Sequence, residues 1–133
     1  MSTTSGTNGE LVRTAFGSWE KGDNRPFFKL VADDVRWRVI GTTPVSGTYD
    51  SKQQFLGATQ ALFDRFNQPI MAKVQAVHEA GDTVVLQWEG TSQGVNGRPY
   101  NQTYCWVMQL DDGRITNVVA YLDTALLDDM FAD

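Results

Sequence analysis

The C-terminal half of the chain consists of four β-rich runs, about residues 70–79, 83–93, 100–110 and 114–122. Three short turns separate them: Ala80-Gly81-Asp82, Gly94-Val95-Asn96-Gly97 and Asp111-Asp112-Gly113. Connections this short join antiparallel neighbours, because a parallel pair needs a crossover of about a dozen residues or more. This half therefore reads as an antiparallel meander, and a sheet needs something to cover its apolar face.

The N-terminal half supplies that cover. Thr7 and Glu10 have capping-box spacing, and Val12, Ala15, Phe16 and Trp19 then recur on one helical face until Gly22. A short second helix follows, with Pro26 in its first turn and Phe27, Phe28, Leu30 and Val31 to bury. Val35 to Val39 alternates strictly and predicts a strand, with Val35, Trp37 and Val39 on one face and Arg36 and Arg38 on the other. Gly41 to Tyr49 reads as a loop. Ser51 and Gln54 open a third helix carrying Phe55, Ala58, Leu62, Phe63 and Phe66 on one side, closed by Pro69. Thr124 to Phe131 has room for one or two more helical turns. The expected class is α+β, with residues 1–8 a polar lead-in and 9–133 a single domain.

Charge and residue counts exclude several functions. A net charge of −5 argues against nucleic acid or an anionic membrane as partner. A single cysteine and a single histidine argue against an internal disulfide and against multi-Cys or multi-His metal sites. No apolar run approaches the ~20 residues of a membrane span, and the polar start lacks a signal-peptide pattern, so a cytoplasmic location is expected.

Several dispersed motifs together resemble the SnoaL-like branch of the nuclear-transport-factor-2-like superfamily. They are Ala32-Asp33-Asp34-Val35 followed by Trp37, then Gly41, Pro44, Ser46-Gly47 and Tyr49. Gly81-Asp82-Thr83-Val84-Val85, Gly97-Arg98-Pro99-Tyr100, Asp112-Gly113-Arg114-Ile115 and Tyr121-Leu122-Asp123-Thr124 complete the set. The resemblance runs from about residue 9 to 127. It implies a cone-shaped, strongly bent antiparallel sheet wrapped around three helices, a deep apolar pocket, and a homodimer formed through the sheet. Relatives include ketosteroid isomerases, limonene-epoxide hydrolases and polyketide cyclases, so fold alone does not fix function.

Carried over residue by residue, the relatives' catalytic groups are mostly missing. The isomerase base falls at Val39, its tyrosine near Ala15 or Phe16, and its aspartic acid at Trp106 or Cys105. Epoxide hydrolases resemble the chain in the last two strands, yet their Asp-Arg-Asp bridge falls on Glu89, Gln87 and Ala120. Their water-holding Tyr and Asn fall on Trp37 and Val39. The cyclase aspartate also falls at Ala120.

The resemblance places Gln87, Glu89, Gln102, Tyr104, Trp106, Val118 and Ala120 on the concave face, with Trp37 and Val39 from the first strand and Phe16 and Trp19 from the first helix. Glu89 is then the single acid of an aromatic pocket, a setting that suits a carboxyl to general acid or base work. Tyr104 and Gln87 would be its hydrogen-bonding partners, and Gln102 would orient a ligand. A structural role for Glu89, paired with Arg98 or Arg114 or bonded to Gln87, stands beside that reading. Alternation along residues 83–92 also allows the simpler arrangement, in which the Gln87/Glu89 face meets water. His78 reads as an exposed hairpin residue, Cys105 as an inert thiol outside the pocket, and Asp123 as a cap for the last helical turn. The expected function is binding of a small apolar organic molecule without a metal or cofactor. It is either cofactor-free isomerisation, cyclisation or hydrolysis through Glu89, or binding without turnover. A dimeric scaffold with a filled core is the third possibility.

Overall fold

The structure is a computed structural model that describes residues 7–132. Helix α1 (Asn8–Trp19) begins at Thr7, whose side chain accepts from Glu10 N while the Glu10 carboxylate accepts from Thr7 N, so both halves of the capping box form. A cap of this kind stabilises a helix by about 1 kcal/mol. Most of the expected lead-in lies outside the described residues, and Asn8 already belongs to α1. Helix α2 (Arg25–Leu30) follows.

Strand β1 (Val31–Val39) starts earlier than the alternation predicts, because its pairing shifts between Val31 and Arg36 and the regular pattern resumes only after that irregularity. Gly47–Tyr49, expected as loop, forms the short strand β2 against Val39–Trp37. Helix α3 (Lys52–Phe63) is capped by Ser51. The four expected C-terminal strands follow as β3 (Met71–Ala80), β4 (Thr83–Gln93), β5 (Pro99–Asp111) and β6 (Arg114–Leu122). Helix α4 (Thr124–Asp129) closes the chain, with the Asp123 carboxylate accepting from Ala125 N and Leu126 N.

The sheet order is β2-β1-β6-β5-β4-β3, antiparallel throughout except for the parallel β1–β6 pair. Register irregularities at Val74/Ala76 and at Gln109/Leu110 increase the local twist and help curve the sheet around the helices. The β5–β6 turn places Asp112 at φ 53° and Gly113 at φ 76°, the paired positive values that a tight two-residue hairpin needs. On the concave side, Gly90 lets the chain pack closely. A Cβ there would lie 2.8 Å from Ile70 Cγ2 and 3.0 Å from Tyr104 Cε2. Phe16, Phe27, Trp37, Trp88 and Leu86 are fully buried beneath the helices, and each large apolar side chain contributes roughly 2–3 kcal/mol on burial.

The face of β4 is a correction. Gln87 and Glu89 are exposed on the convex side, while Val84, Leu86 and Trp88 are buried on the concave side. The cause is the length of the β4–β5 loop. A four-residue turn over Gly94–Gly97 would pair Gln93 with Arg98 and set Gln87 beside Tyr104. The observed register instead pairs Gln93 with Pro99, Trp88 with Tyr104, Gln87 with Cys105 and Glu89 with Thr103. One extra loop residue exchanges the two faces of the strand. Energetics favour the result, because three large apolar groups are buried and the carboxylate stays in water rather than unpaired in the core.

Candidate functional site

The concave side of the sheet and the helices enclose a narrow cavity of about 60 Å³. All four tryptophans of the chain, Trp19, Trp37, Trp88 and Trp106, line it. Trp19 comes from α1, Trp37 from β1, Trp88 from β4 and Trp106 from β5. Phe55, Thr59, Leu62 and Phe63 of α3 face it from the opposite side, and Leu127 of α4 reaches one end. Trp37 stacks on Phe55 at 3.9 Å between ring centroids, and Trp88 stacks on Tyr104 at 4.2 Å. Trp106 stands edge-on between them, 5.0 Å from Trp37 and 4.9 Å from Trp88. No charged residue lines the cavity.

Polar groups at the wall are few. The Trp19 indole donates to Ile70 O at 3.0 Å. The indole N–H groups of Trp37, Trp88 and Trp106 are buried and find no acceptor among the described residues. The Tyr104 and Tyr100 hydroxyls lie 2.7 Å apart. Gln102 anchors this pair by donating from Nε2 to Tyr100 Oη at 3.3 Å and to Asp123 O at 2.9 Å. Its Oε1 accepts from Asp123 N at 2.7 Å and from Thr103 N at 3.1 Å. Burial, with a smaller contribution from Tyr100, holds the Tyr104 phenol well above the ordinary tyrosine range. Burial also raises Tyr100. Both phenols are therefore neutral near pH 7, and the Tyr104 hydroxyl is engaged with that of Tyr100.

A wider cleft of about 500 Å³ adjoins the cavity and shares Trp19, Phe63 and Ile70 with it. The rest of its wall comes from Gly22, Asn24 and the 66–69 segment. The Trp19–Ile70 hydrogen bond thus sits in the partition between cleft and cavity.

Six of the expected site residues line the cavity: Trp19, Trp37, Val39, Tyr104, Trp106 and Ala120. Phe16, Val118 and Gln102 are buried close by without lining it. Gln102 spends its amide on structural bonds and is a strut rather than a ligand contact. Glu89 and Gln87 are not brought to the site. Glu89 stands across the strands from Lys73 and Thr103, and Arg98, one of its expected partners, pairs with Asp129 instead. His78 is exposed, and Cys105 is half-buried on the outer face. Among the described residues no group of three or more His, Cys, Asp or Glu comes together as metal ligands would.

Trp88, the α3 residues and Leu127 are cavity residues that the concave-face assignment missed. The alternation Val84-Leu86-Trp88 was the available signal for Trp88, and the apolar face of the third helix was the signal for Phe55, Leu62 and Phe63.

Comparison with known proteins agrees with this architecture. The family described as SnoaL-like domain matches residues 12–118, and the chain belongs to that family. No curated protein matches the chain in sequence. Among solved structures it is similar to an NTF2-like protein from Burkholderia thailandensis E264, at 21% identity and TM-score 0.80, covering 96% of this chain and 99% of that one. A protein of unknown function with a cystatin-like fold from Xanthomonas campestris gives TM-score 0.81 at 18% identity, covering 96% and 100%. TerC co-crystallised with polyporic acid gives TM-score 0.76 at 16% identity, covering 92% and 96%. These likenesses establish a shared fold.

Proposed function

We propose that the protein binds a small, largely apolar organic molecule between its curved sheet and its helices. One observation carries this reading: every tryptophan in the chain converges on one uncharged cavity. A folded domain needs an apolar core, but cores close-pack, and this one leaves space beside an open cleft. The space is smaller than the ~150 Å³ that admits benzene to an engineered apolar cavity. Occupancy by an aromatic ligand therefore uses the adjoining cleft, with Trp19 and Phe63 yielding between the two. TerC, which shares this fold, was co-crystallised with polyporic acid, and this supports a small-molecule ligand.

Binding without carboxylate catalysis is the better-supported form of the proposal. Glu89 lies outside the cavity, and the positions of the relatives' catalytic groups are occupied by Val39 and Ala120, both apolar and both at the wall. A second reading, a cofactor-free isomerase or cyclase, is favoured by Tyr104. Tyr104 lines the cavity, and its neutral hydroxyl, backed by Tyr100 and Gln102, would stabilise charge developing on a substrate oxygen that reached it. A cytoplasmic homodimer joined through the convex sheet face completes the proposal. Half-buried Val85, Val107 and Val119 form a row across three strands there, with exposed Tyr121 beside it. The test is titration of tryptophan fluorescence with steroids, aromatic polyketides and terpene epoxides. Saturable quenching by one class is expected, and a folded protein unresponsive to all of them would overturn the proposal.

A further inference from the structure

We infer that Asn96 is a site of spontaneous covalent modification, in which its amide becomes an acid and unlatches helix α4 from the β4–β5 turn. The inference is independent of what the cavity binds. Asn-Gly occurs twice in the chain, at Asn8-Gly9 and at Asn96-Gly97. In such a pair the following backbone nitrogen can attack the side-chain amide carbon, because glycine carries no side chain to obstruct the approach. At Asn96 the pair lies in a turn, where Gly97 is exposed and has φ 85°. Nothing lies within 4 Å of the position that a Cβ on Gly97 would take, so the approach is open.

The same side chain holds the end of α4. Asn96 Nδ2 donates to Asp129 O at 3.0 Å and to Ala132 O at 3.1 Å, carbonyls at and beyond the helix end that find no partner within the helix. Asn96 Oδ1 accepts from Arg98 N at 3.0 Å, and Arg98 pairs with Asp129 at 3.5 Å. The turn fits closely round the amide: a Cβ on Gly94 would lie 2.6 Å from Asn96 Oδ1 and 3.1 Å from Met130 Sδ. Attack therefore waits until the amide leaves α4 and the Gly97 N–H leaves Gly94 O, its acceptor at 2.9 Å. The Gly97 nitrogen then loses its proton and bonds to Asn96 Cγ, closing a succinimide ring, while the bond from Cγ to Nδ2 breaks and releases ammonia. Water opens the ring at either carbonyl and leaves aspartate or isoaspartate. Neither product has a donor for Asp129 O and Ala132 O. The new carboxylate would face those carbonyls at the negative end of the helix, beside the Asp129 carboxylate. The latch cannot re-form, so release of α4, whose Leu127 lines one end of the cavity, is irreversible.

The experiment ages the folded full chain at mildly alkaline pH and maps its peptides over time by mass spectrometry, with the urea-unfolded chain as reference. Asn8-Gly9 is the internal control, because Gly9 is buried in α1 and its N–H donates to Glu79 Oε1 at 3.2 Å. In the folded chain Asn96 is expected to convert at least tenfold faster than Asn8, and at least tenfold slower than in the unfolded chain. Hydrogen exchange in the aged chain should then quicken at the Leu127 and Met130 amides, which donate to Asp123 O and Leu127 O. The expected gain is at least tenfold, about 1.4 kcal/mol of local stability, with unfolding of the whole chain still cooperative. Asn96→Asp, made directly, should show the same exchange pattern, and Asn96→Ala a smaller change, since it loses the donors without adding charge. The aged chain acquires its acid after folding, so the outcome does not depend on Asn96→Asp reaching the folded state. Conversion at Asn96 no faster than at Asn8 overturns the modification site. Conversion at the unfolded rate, or an acid at this position that leaves exchange in α4 unchanged, overturns the latch.

Discussion

Replacing Gln102 by Met removes a polar strut while keeping the length and approximate volume of the side chain. Gln102 is 1% exposed and makes four hydrogen bonds, two of them to the backbone N–H and C=O of Asp123 at 2.7 and 2.9 Å. Those two bonds tie β5 to the residue that caps α4. The substitution strands the Asp123 groups and withdraws one donor from Tyr100. At about 1 kcal/mol for each of the three bonds to Asp123 and Tyr100, with the exposed Thr103 N–H turning to water, the expected destabilisation is roughly 2–3 kcal/mol. A chain of 133 residues has an unfolding entropy near ~0.28 kcal/mol per kelvin, so the midpoint should fall by about 7–11 °C. Thermal unfolding by circular dichroism measures this. Amide exchange should also accelerate at Leu126 and Leu127, which donate within the first turn of the helix that the strut anchors. A fall of less than about 2 °C, with exchange in α4 unchanged, would refute the assignment of Gln102 as a strut.

Other outcomes follow from the same geometry. Burial raises the Tyr104 and Tyr100 phenols in the folded state, so their contribution to stability is complete below the unfolded tyrosine value of about 10 and is lost as pH rises beyond it. Urea unfolding between pH 8 and 12 should show this alkaline decline, and Tyr104→Phe should flatten its slope. Glu89→Gln should leave ligand binding unchanged and shift stability by no more than about 0.5 kcal/mol, since the side chain is exposed on the convex face. Loss of binding in that variant would return Glu89 to the site.

Much of the fold was legible because its signals are local. Thr7/Glu10, Ser51 and Asp123 cap the helices that their spacing predicts. Asp112-Gly113 makes the tight turn that this dipeptide favours. The family resemblance is supported over residues 12–118. Strand β2 was missed because three residues pairing only with β1 carry too short an alternation to register. The cavity was legible in part: Trp37, Tyr104, Trp106 and Ala120 lie where the resemblance implied. Glu89 and Gln87 were misplaced because strand faces depend on pairing register, and register depends on a loop length that turn residues do not fix to the residue. Gln102 faced the expected side, but its bonds go to Asp123, whose proximity is a tertiary fact that no local spacing reveals.

Filling the cavity tests the central claim most directly. Ala120 lines the cavity and is directly paired with Trp106 across the strands, so Ala120→Leu places a larger side chain against the aromatic wall. Tryptophan-fluorescence titration with a ligand that saturates the parent protein should show affinity reduced at least tenfold in this variant, with the melting profile still cooperative. Unchanged affinity in a folded Ala120→Leu protein would place the ligand elsewhere and contradict the account.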